Sequence, residues 1–270
     1  MKIAGRNQAL PHLSVTEAIQ FMQQADYDAI ELSLLRGNNT VLTELTEPFM
    51  IRHVLECIRK KPSFEISAVS CHANYVTDDF IFSVQQRLLR VAREYGTNIV
   101  IMSTYVPYSI RESQEKELWD KLIQRTRQLC DIAEQEGVYI ALEPEPNSIV
   151  RNQDYFLRMA GQVRSPALKM NFDIGHAFLC EPDLFQAIGD VSSYIVHGHI
   201  ENMCRGEHCH KLPWEGDIDL AAVCRALYEN GFNGTLALDL YLQDYAAVSS
   251  DCVSYIKHSI YGSQANNRRV

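Results

Sequence analysis

The stretch Asn171-Phe172-Asp173-Ile174-Gly175-His176 is an apolar strand that ends in a carboxylate, with an imidazole three residues later. Outward from it, three more polar residues follow short apolar runs. Tyr139-Ile140-Ala141-Leu142 precedes Glu143, Tyr194-Ile195-Val196 shortly precedes His199, and Leu236-Ala237-Leu238 precedes Asp239. One carboxylate at a strand end is ordinary, since it can cap a following helix or hold an ion pair. Four potential ligands on four successive strand ends suggest a metal site, and three carboxylates with one imidazole suit Mn²⁺, Mg²⁺ or Co²⁺, with Zn²⁺ as the alternative.

The rest of the chain alternates in the same way. Short apolar strands are expected at 3–4, 28–32, 66–72, 98–102, 138–143, 168–173, 194–200 and 235–240. Between them lie helix signals. Ser14 and Glu17 form a capping box, Met50, Val54, Cys57 and Ile58 recur at helical spacing before Pro62, Asp78 or Asp79 opens a helix that Gly96 ends, and Gly137 stops a long one from about 113 to 136. Further helices are expected near 152–162, 183–189, 219–230 and 244–261. Alternating strands and helices imply a parallel sheet, and eight such units in 270 residues favour closure into a single (β/α)8 TIM barrel over residues 1–261, an α/β fold, followed by a polar tail at 262–270. No glycine-rich dinucleotide fingerprint follows the first strand, which counts against an open doubly wound sheet.

A content of 46% hydrophobic residues supports one large core, and a net charge of −9 argues against a nucleic-acid surface, which needs clustered Lys and Arg. A small-molecule partner is the better expectation. No apolar run approaches the ~20 residues that span a bilayer, and Met1-Lys2-Ile3-Ala4-Gly5-Arg6 lacks a signal-peptide core. The eight cysteines are scattered without the spacing of a disulfide framework, as expected of reduced thiols in a soluble cytoplasmic protein.

Five motifs in order, Ala141-Leu142-Glu143-Pro144, Asn171 to His176, Val196-His197-Gly198-His199-Ile200-Glu201-Asn202, Trp214-Glu215-Gly216-Asp217-Ile218-Asp219 and Gly234-Thr235-Leu236-Ala237-Leu238-Asp239, give a resemblance covering most of the chain. The sequence resembles the xylose isomerase-like TIM barrels, in particular sugar and sugar-phosphate isomerases and epimerases related to ketose 3-epimerases. The resemblance implies a carbohydrate substrate and one divalent metal ion held by Glu143, Asp173, His199 and Asp239. It also implies that Glu143 and Asp239 act as acid and base, and that His176 and Arg205 bind substrate. A divalent ion chelating a carbonyl and its neighbouring hydroxyl acidifies the adjacent C–H and stabilises the enediolate formed when a carboxylate removes that proton. Returning the proton to the other face inverts the carbon; returning it to the next carbon isomerises the sugar.

Two positions depart from the ketose epimerases. Asp239 stands where they usually carry Glu, shorter by about 1.5 Å, and Ile149 stands where they carry a further Glu, with Glu145 and Asn147 nearby as stand-ins. Both departures count against strict 3-epimerisation and leave isomerisation, or a lyase reaction of the inosose-dehydratase kind, on the same ligands.

His72 and Glu31 close strands three and two and are candidates to touch substrate, against a bland role in lining the mouth. His197, two residues before His199, points the same way but a layer deeper, as a supporting or core histidine. The segment Cys204-Arg205-Gly206-Glu207-His208-Cys209-His210 matches none of the common paired-cysteine zinc spacings and reads as a polar mouth loop, in which His210 could contact substrate. Trp214 reads as an apolar wall near the site. An apurinic-endonuclease role is disfavoured, because strand four ends without a histidine, no Asp-x-His stands in register in the histidine-rich loop, and the charge is acidic. A barrel that binds sugar without turnover is a further alternative, and a homo-oligomer is compatible with the sequence.

Overall fold

Inward-facing side chains change from small to charged along the same strands, and this gradient positions the site. The structure, a computed structural model, describes residues 1–37, 40–106, 110–241 and 243–267, with side chains as far as residue 260. Eight strands close into a parallel barrel: β1 (Lys2–Arg6), β2 (Ala29–Ser33), β5 (Glu65–Asn74), β6 (Ile99–Ser103), β7 (Tyr139–Glu143), β8 (Leu168–Asp173), β9 (Ile195–Ile200) and β12 (Thr235–Leu238). Helices α1 (Val15–Gln24), α2 (Pro48–Ile58), α3 (Asp79–Val91), α4 (Glu112–Glu136), α5 (Gln153–Val163), α7 (Leu184–Val191), α8 (Leu220–Glu229) and α9 (Tyr245–Asn267) cover it. All eight strands and helices expected from the alternation are present, and β1 pairs with β12 to close the sheet.

The local chemistry explains the boundaries. Ser14 accepts from the Glu17 amide while Glu17 reaches back, completing the capping box of α1. Asp78, not Asp79, caps α3 by accepting from the Phe80 and Ile81 amides. Gly96 and Gly137 both adopt left-handed conformations (φ 83° and 65°), which glycine reaches without steric cost. The last helix runs to Asn267, through residues assigned above to a polar tail. Ser263-Gln264-Ala265-Asn266-Asn267 contains no proline, and polarity alone does not end a helix. Residues 268–270 of that tail lie outside the described residues.

A short helix and two hairpins were not anticipated. A short helix, α6 (Ile174–Cys180), begins directly after β8, and two antiparallel hairpins, β3 (Leu35–Arg36) with β4 (Thr40–Val41) and β10 (Asn202–Cys204) with β11 (Glu207–Lys211), extend the loops.

Side chains on a strand alternate faces. Ile3, Ile30, Leu32, Val69, Val100, Met102, Ile140, Leu142, Met170, Phe172, Leu236 and Leu238 belong to the main core, which includes the helices. Their neighbours form small clusters of their own, Ala4 with Ala29 and Ala237, and Ala68 with Ile101 and Ala141. Two residues further along the same faces stand Arg6, Glu31, Ser70, Ser103, Glu143 and Asp239. Five alanines and Ile101 thus form the inner layer, and polar or charged side chains lie above them at the carboxyl end.

Candidate metal centre at the barrel mouth

His199 is the hub of this end. It is fully buried, and its Nε2–H donates to Glu31 Oε2 at 2.8 Å. Its Nδ1 has no hydrogen-bond partner and faces three carboxylates: Glu143 Oε2 at 3.3 Å, Asp173 Oδ2 at 3.4 Å and Asp239 Oδ2 at 3.6 Å. With the ring proton committed to Glu31, Nδ1 offers a lone pair to the same point as three oxygens. A carboxylate on the far nitrogen is the usual arrangement behind a metal-binding imidazole.

Strand register sets this convergence. Asp173 lies opposite His199 across β8 and β9, and Asp239 follows the β12 residue paired with Ile200. Gly198 lets the strands approach, since a Cβ there would stand 2.7 Å from the Phe172 carbonyl oxygen. Asp173 divides its two oxygens. Oδ1 caps α6 by accepting from the His176 amide at 2.7 Å, and Oδ2 is buried without a partner. A helix cap and a free ligand oxygen therefore coexist in one side chain.

The surrounding groups fix the orientation of these ligands. Asn171 Nδ2 donates to Glu143 Oε2 at 2.8 Å, while Asn171 Oδ1 accepts from His197 Nδ1 at 2.8 Å. His197 is held a layer below, as expected, and burial lowers its pKa to about 3, so it is neutral. Ser70 and His72 both donate to Glu31 Oε1, at 2.7 and 2.9 Å, and His72 Nδ1 faces Glu143 Oε2 at 3.3 Å. Arg6, at the end of β1, pairs with Asp239, lies 3.3 Å from Glu31 and donates to Tyr241 at 3.1 Å.

Electrostatics favours a cation here. Burial opposes charge on His199, but Glu143 and Glu31 outweigh it and raise its pKa well above the usual imidazole value. Burial likewise opposes charge on Glu143, which His199 and His72 nevertheless hold well below the carboxylate range. His176 is raised to about 9, because Asp173 and Glu143 overcome its desolvation. This field can be satisfied by protons or by a divalent cation, and the unpartnered Asp173 Oδ2 and His199 Nδ1 fit the latter. The ligand atoms of Glu143, Asp173 and His199 lie within 4.8 Å of one another.

The other sequence candidates divide. His176 Nδ1 stands 3.4 Å from both Glu143 Oε1 and Asp173 Oδ2, and His210 Nδ1 donates to the Asp239 carbonyl at 3.0 Å. Arg205 stands apart from this group. Its guanidinium stacks 3.7 Å over Phe178 and donates to the Phe178 carbonyl, and its amide donates to Asp217. Trp214 packs edge-on against Tyr255 of α9 at 5.5 Å. Ile149 is buried, with its amide on the Thr104 carbonyl, and Asn147 is a turn residue at φ 62°. Glu145 is the stand-in that reaches the site. It accepts from Ser103, and burial, reinforced by Glu143, raises its pKa to about 7.

Arg6 and Glu201 had no place in the sequence reading. Glu201 accepts from the Gly175 amide at 2.9 Å, and burial, reinforced by Asp173 and Asp239, pushes its pKa well above the usual carboxylate range. The period of two would have found both, since Arg6 follows Ala4, and Glu201 follows His199, on the inward face.

A sequence profile of the xylose isomerase-like TIM barrel family matches residues 19–250, and the chain belongs to that family. It is 24% identical to a 3-dehydroshikimate dehydratase of Bacillus anthracis over 201 residues, which are 73% of this chain and 70% of that protein. It is 25% identical to a fructoselysine 3-epimerase of Escherichia coli O157:H7 over 126 residues, 46% of either protein. A xylose isomerase-like TIM barrel protein from Mycobacterium smegmatis, solved in complex with magnesium, shares the fold at a TM-score of 0.75 and 18% identity, with 96% of each chain covered. Among the described residues no helix is long and apolar enough to cross a membrane.

Proposed function

We propose that this protein is a divalent-metal-dependent sugar or polyol isomerase or epimerase that moves a proton at a carbon next to a carbonyl. The observation that carries the reading is the convergence of Glu143, Asp173 and Asp239 on the free Nδ1 of His199. These four residues would hold the cation, which when bound would polarise the substrate carbonyl and make the adjacent C–H more acidic. Glu143 is suited to take the proton, because Asn171 secures its Oε2 while Oε1 lies 3.4 Å from His176 Nδ1. His72 steadies the pair from Glu31, and a small hydroxylated ketone is the substrate class that such a mouth accommodates.

A lyase reaction on the same ligands is the second reading, favoured by the Arg6 contact with Asp239. Inversion needs a second carboxylate free to return a proton from the opposite face. Asp239 is instead held by a buried guanidinium. In a dehydration Glu143 would take the proton from carbon, the C–O bond one carbon further would break, and Glu145, close by on Ser103, would protonate the departing hydroxyl to water. The relationship to a 3-dehydroshikimate dehydratase over most of the chain supports this alternative.

One incubation separates the two. Metal-loaded protein is mixed in D₂O with ketoses, inososes, their phosphates and 3-dehydroshikimate. Deuterium next to the carbonyl of a recovered isomer is the result expected of an isomerase or epimerase, and a product lighter by one water is that of a lyase. Neither, across the whole panel with bound metal verified, would remove both readings.

A further inference from the structure

Below the cation ligands a chain of side-chain hydrogen bonds crosses the barrel. Ser67 Oγ lies 3.2 Å from His197 Nε2, His197 Nδ1 lies 2.8 Å from Asn171 Oδ1, and Asn171 Nδ2 donates to Glu143 Oε2 at 2.8 Å. All of these side chains are buried. We propose that His197 is a positioning residue: with its hydrogen fixed on Nδ1, it holds the Asn171 amide in the one orientation that aims Glu143 Oε2 at the cation site.

The hydrogens of this chain run in one direction. An ionised carboxylate only accepts, so the Asn171 amide must turn its nitrogen toward Glu143 and its oxygen toward the imidazole. An amide oxygen also only accepts, so His197 Nδ1 carries the hydrogen. Its Nε2, with a lone pair, then faces the Ser67 hydroxyl, whose other acceptor is the Ile30 carbonyl at 3.3 Å. His199, two residues on, is the opposite tautomer, with its hydrogen on Nε2 toward Glu31 and its lone pair on Nδ1. Two imidazoles on one strand thus do different work, set by the acceptor that each one faces.

Two irregularities of the sheet build the arrangement. β5 carries an extra residue, Ser67, where Ile30 pairs with Ile66 and Glu31 with Ala68, and β9 carries an extra residue, Val196, where Met170 pairs with Ile195 and Asn171 with His197. A bulge re-aims the side chains around it, and here Ser67 and His197 meet across 130 residues of chain. Asn171 and His197 are paired one layer below Asp173 and His199. The consequence reaches the chemistry. Oε2 of Glu143 accepts the Asn171 hydrogen and stands 3.3 Å from His199 Nδ1, which leaves Oε1 as the oxygen for a substrate proton.

The inference rests on the reading of Glu143 as a cation ligand, and two substitutions test it. The amide nitrogen of asparagine overlies Nδ1 of a histidine, whereas that of glutamine overlies Nε2. His197→Asn should therefore keep the donor to Asn171, and His197→Gln should lose it. Measured by calorimetry, Mn²⁺ affinity is expected to fall about 10–100-fold in His197→Gln and to stay within about threefold of wild type in His197→Asn. The asparagine leaves the larger void and should melt lower, so a residue that merely filled space would give the reverse order of affinities. That reverse order, or equal affinities in the two variants, would overturn the role. Nitrogen-15 spectra of metal-free wild type labelled at histidine, with His197 assigned through its contacts to Asn171, need no variant. The hydrogen is expected on Nδ1, and a hydrogen on Nε2 or on both nitrogens would also overturn the proposal. Wild type that binds no Mn²⁺ would remove the ligand assignment of Glu143 and the role of His197 with it, a failure distinct from one in which wild type binds Mn²⁺ and both variants match it.

Discussion

Arg6 reaches Asp239, Glu31, Tyr241 and Gln8 from one guanidinium that is 1% exposed. Removing one partner of a buried ion pair leaves the other charge uncompensated, at a cost of about 3–5 kcal/mol. Arg6→Met should therefore lower the urea midpoint strongly, and an unchanged midpoint would show that the pairing contributes no stability. Asp239 should then also be free to turn, so any inversion activity should rise in the surviving folded fraction. At the barrel mouth, His199→Ala and Asp173→Asn should each abolish Mn²⁺ binding measured by calorimetry. Retention of full Mn²⁺ stoichiometry in both would rule out the ligand assignment. Ser14→Ala, far from the mouth, removes only the cap of α1 and should cost about 1 kcal/mol without altering Mn²⁺ binding.

At the scale of elements, α6 and the strand pair β8 and β9 decide how the ligands are presented. Ile174, Ala177 and Phe178 read as a continuation of an apolar strand, and a glycine inside a helix disfavours it. The helix forms because Asp173 caps it and its first turn packs on Glu201, so close that a Cβ on Gly175 would stand 2.0 Å from Glu201 Oε1. Only the neighbouring strand supplies that contact, so local sequence gives little sign of it. The same tightness at Gly198 yields a prediction. Gly198→Ala must push β9 from β8, and overpacking of this kind costs about 1–3 kcal/mol. The melting temperature should fall and Mn²⁺ affinity with it, because His199 and Asp173 are opposite one another across that pair; a melt unchanged from wild type would show that the strands yield freely.

At the scale of the whole molecule, four neighbouring strands of the eight send a side chain to one point. A cation held by Glu143, Asp173, His199 and Asp239 would link β7, β8, β9 and the end of β12, nearly half the circumference. Binding to the folded state alone stabilises it by about 2.7 kcal/mol at a hundredfold excess over the dissociation constant. Mn²⁺ should raise the calorimetric melting temperature, EDTA should reverse the rise, and Asp173→Asn should not respond. A response of equal size in that variant would place the ion elsewhere.

The sequence by itself determined the eight alternating units and the strand ends that carry Glu143, Asp173, His199 and Asp239, because both follow from periodicities of two and 3.6 that repeat within a dozen residues. Ala4-Gly5-Arg6, Ala29-Ile30-Glu31, Ala141-Leu142-Glu143 and Ala237-Leu238-Asp239 even show the small-to-charged step along the inward faces. Tertiary structure alone decided which of these side chains meet. Barrel closure sets β1 beside β12 and brings Arg6 to Asp239 across 233 residues of chain. The hairpin β10–β11 folds back over α6 and gathers His208 and His210 around His176. Such contacts depend on closure and loop path, which no local pattern of hydrophobic and polar residues encodes.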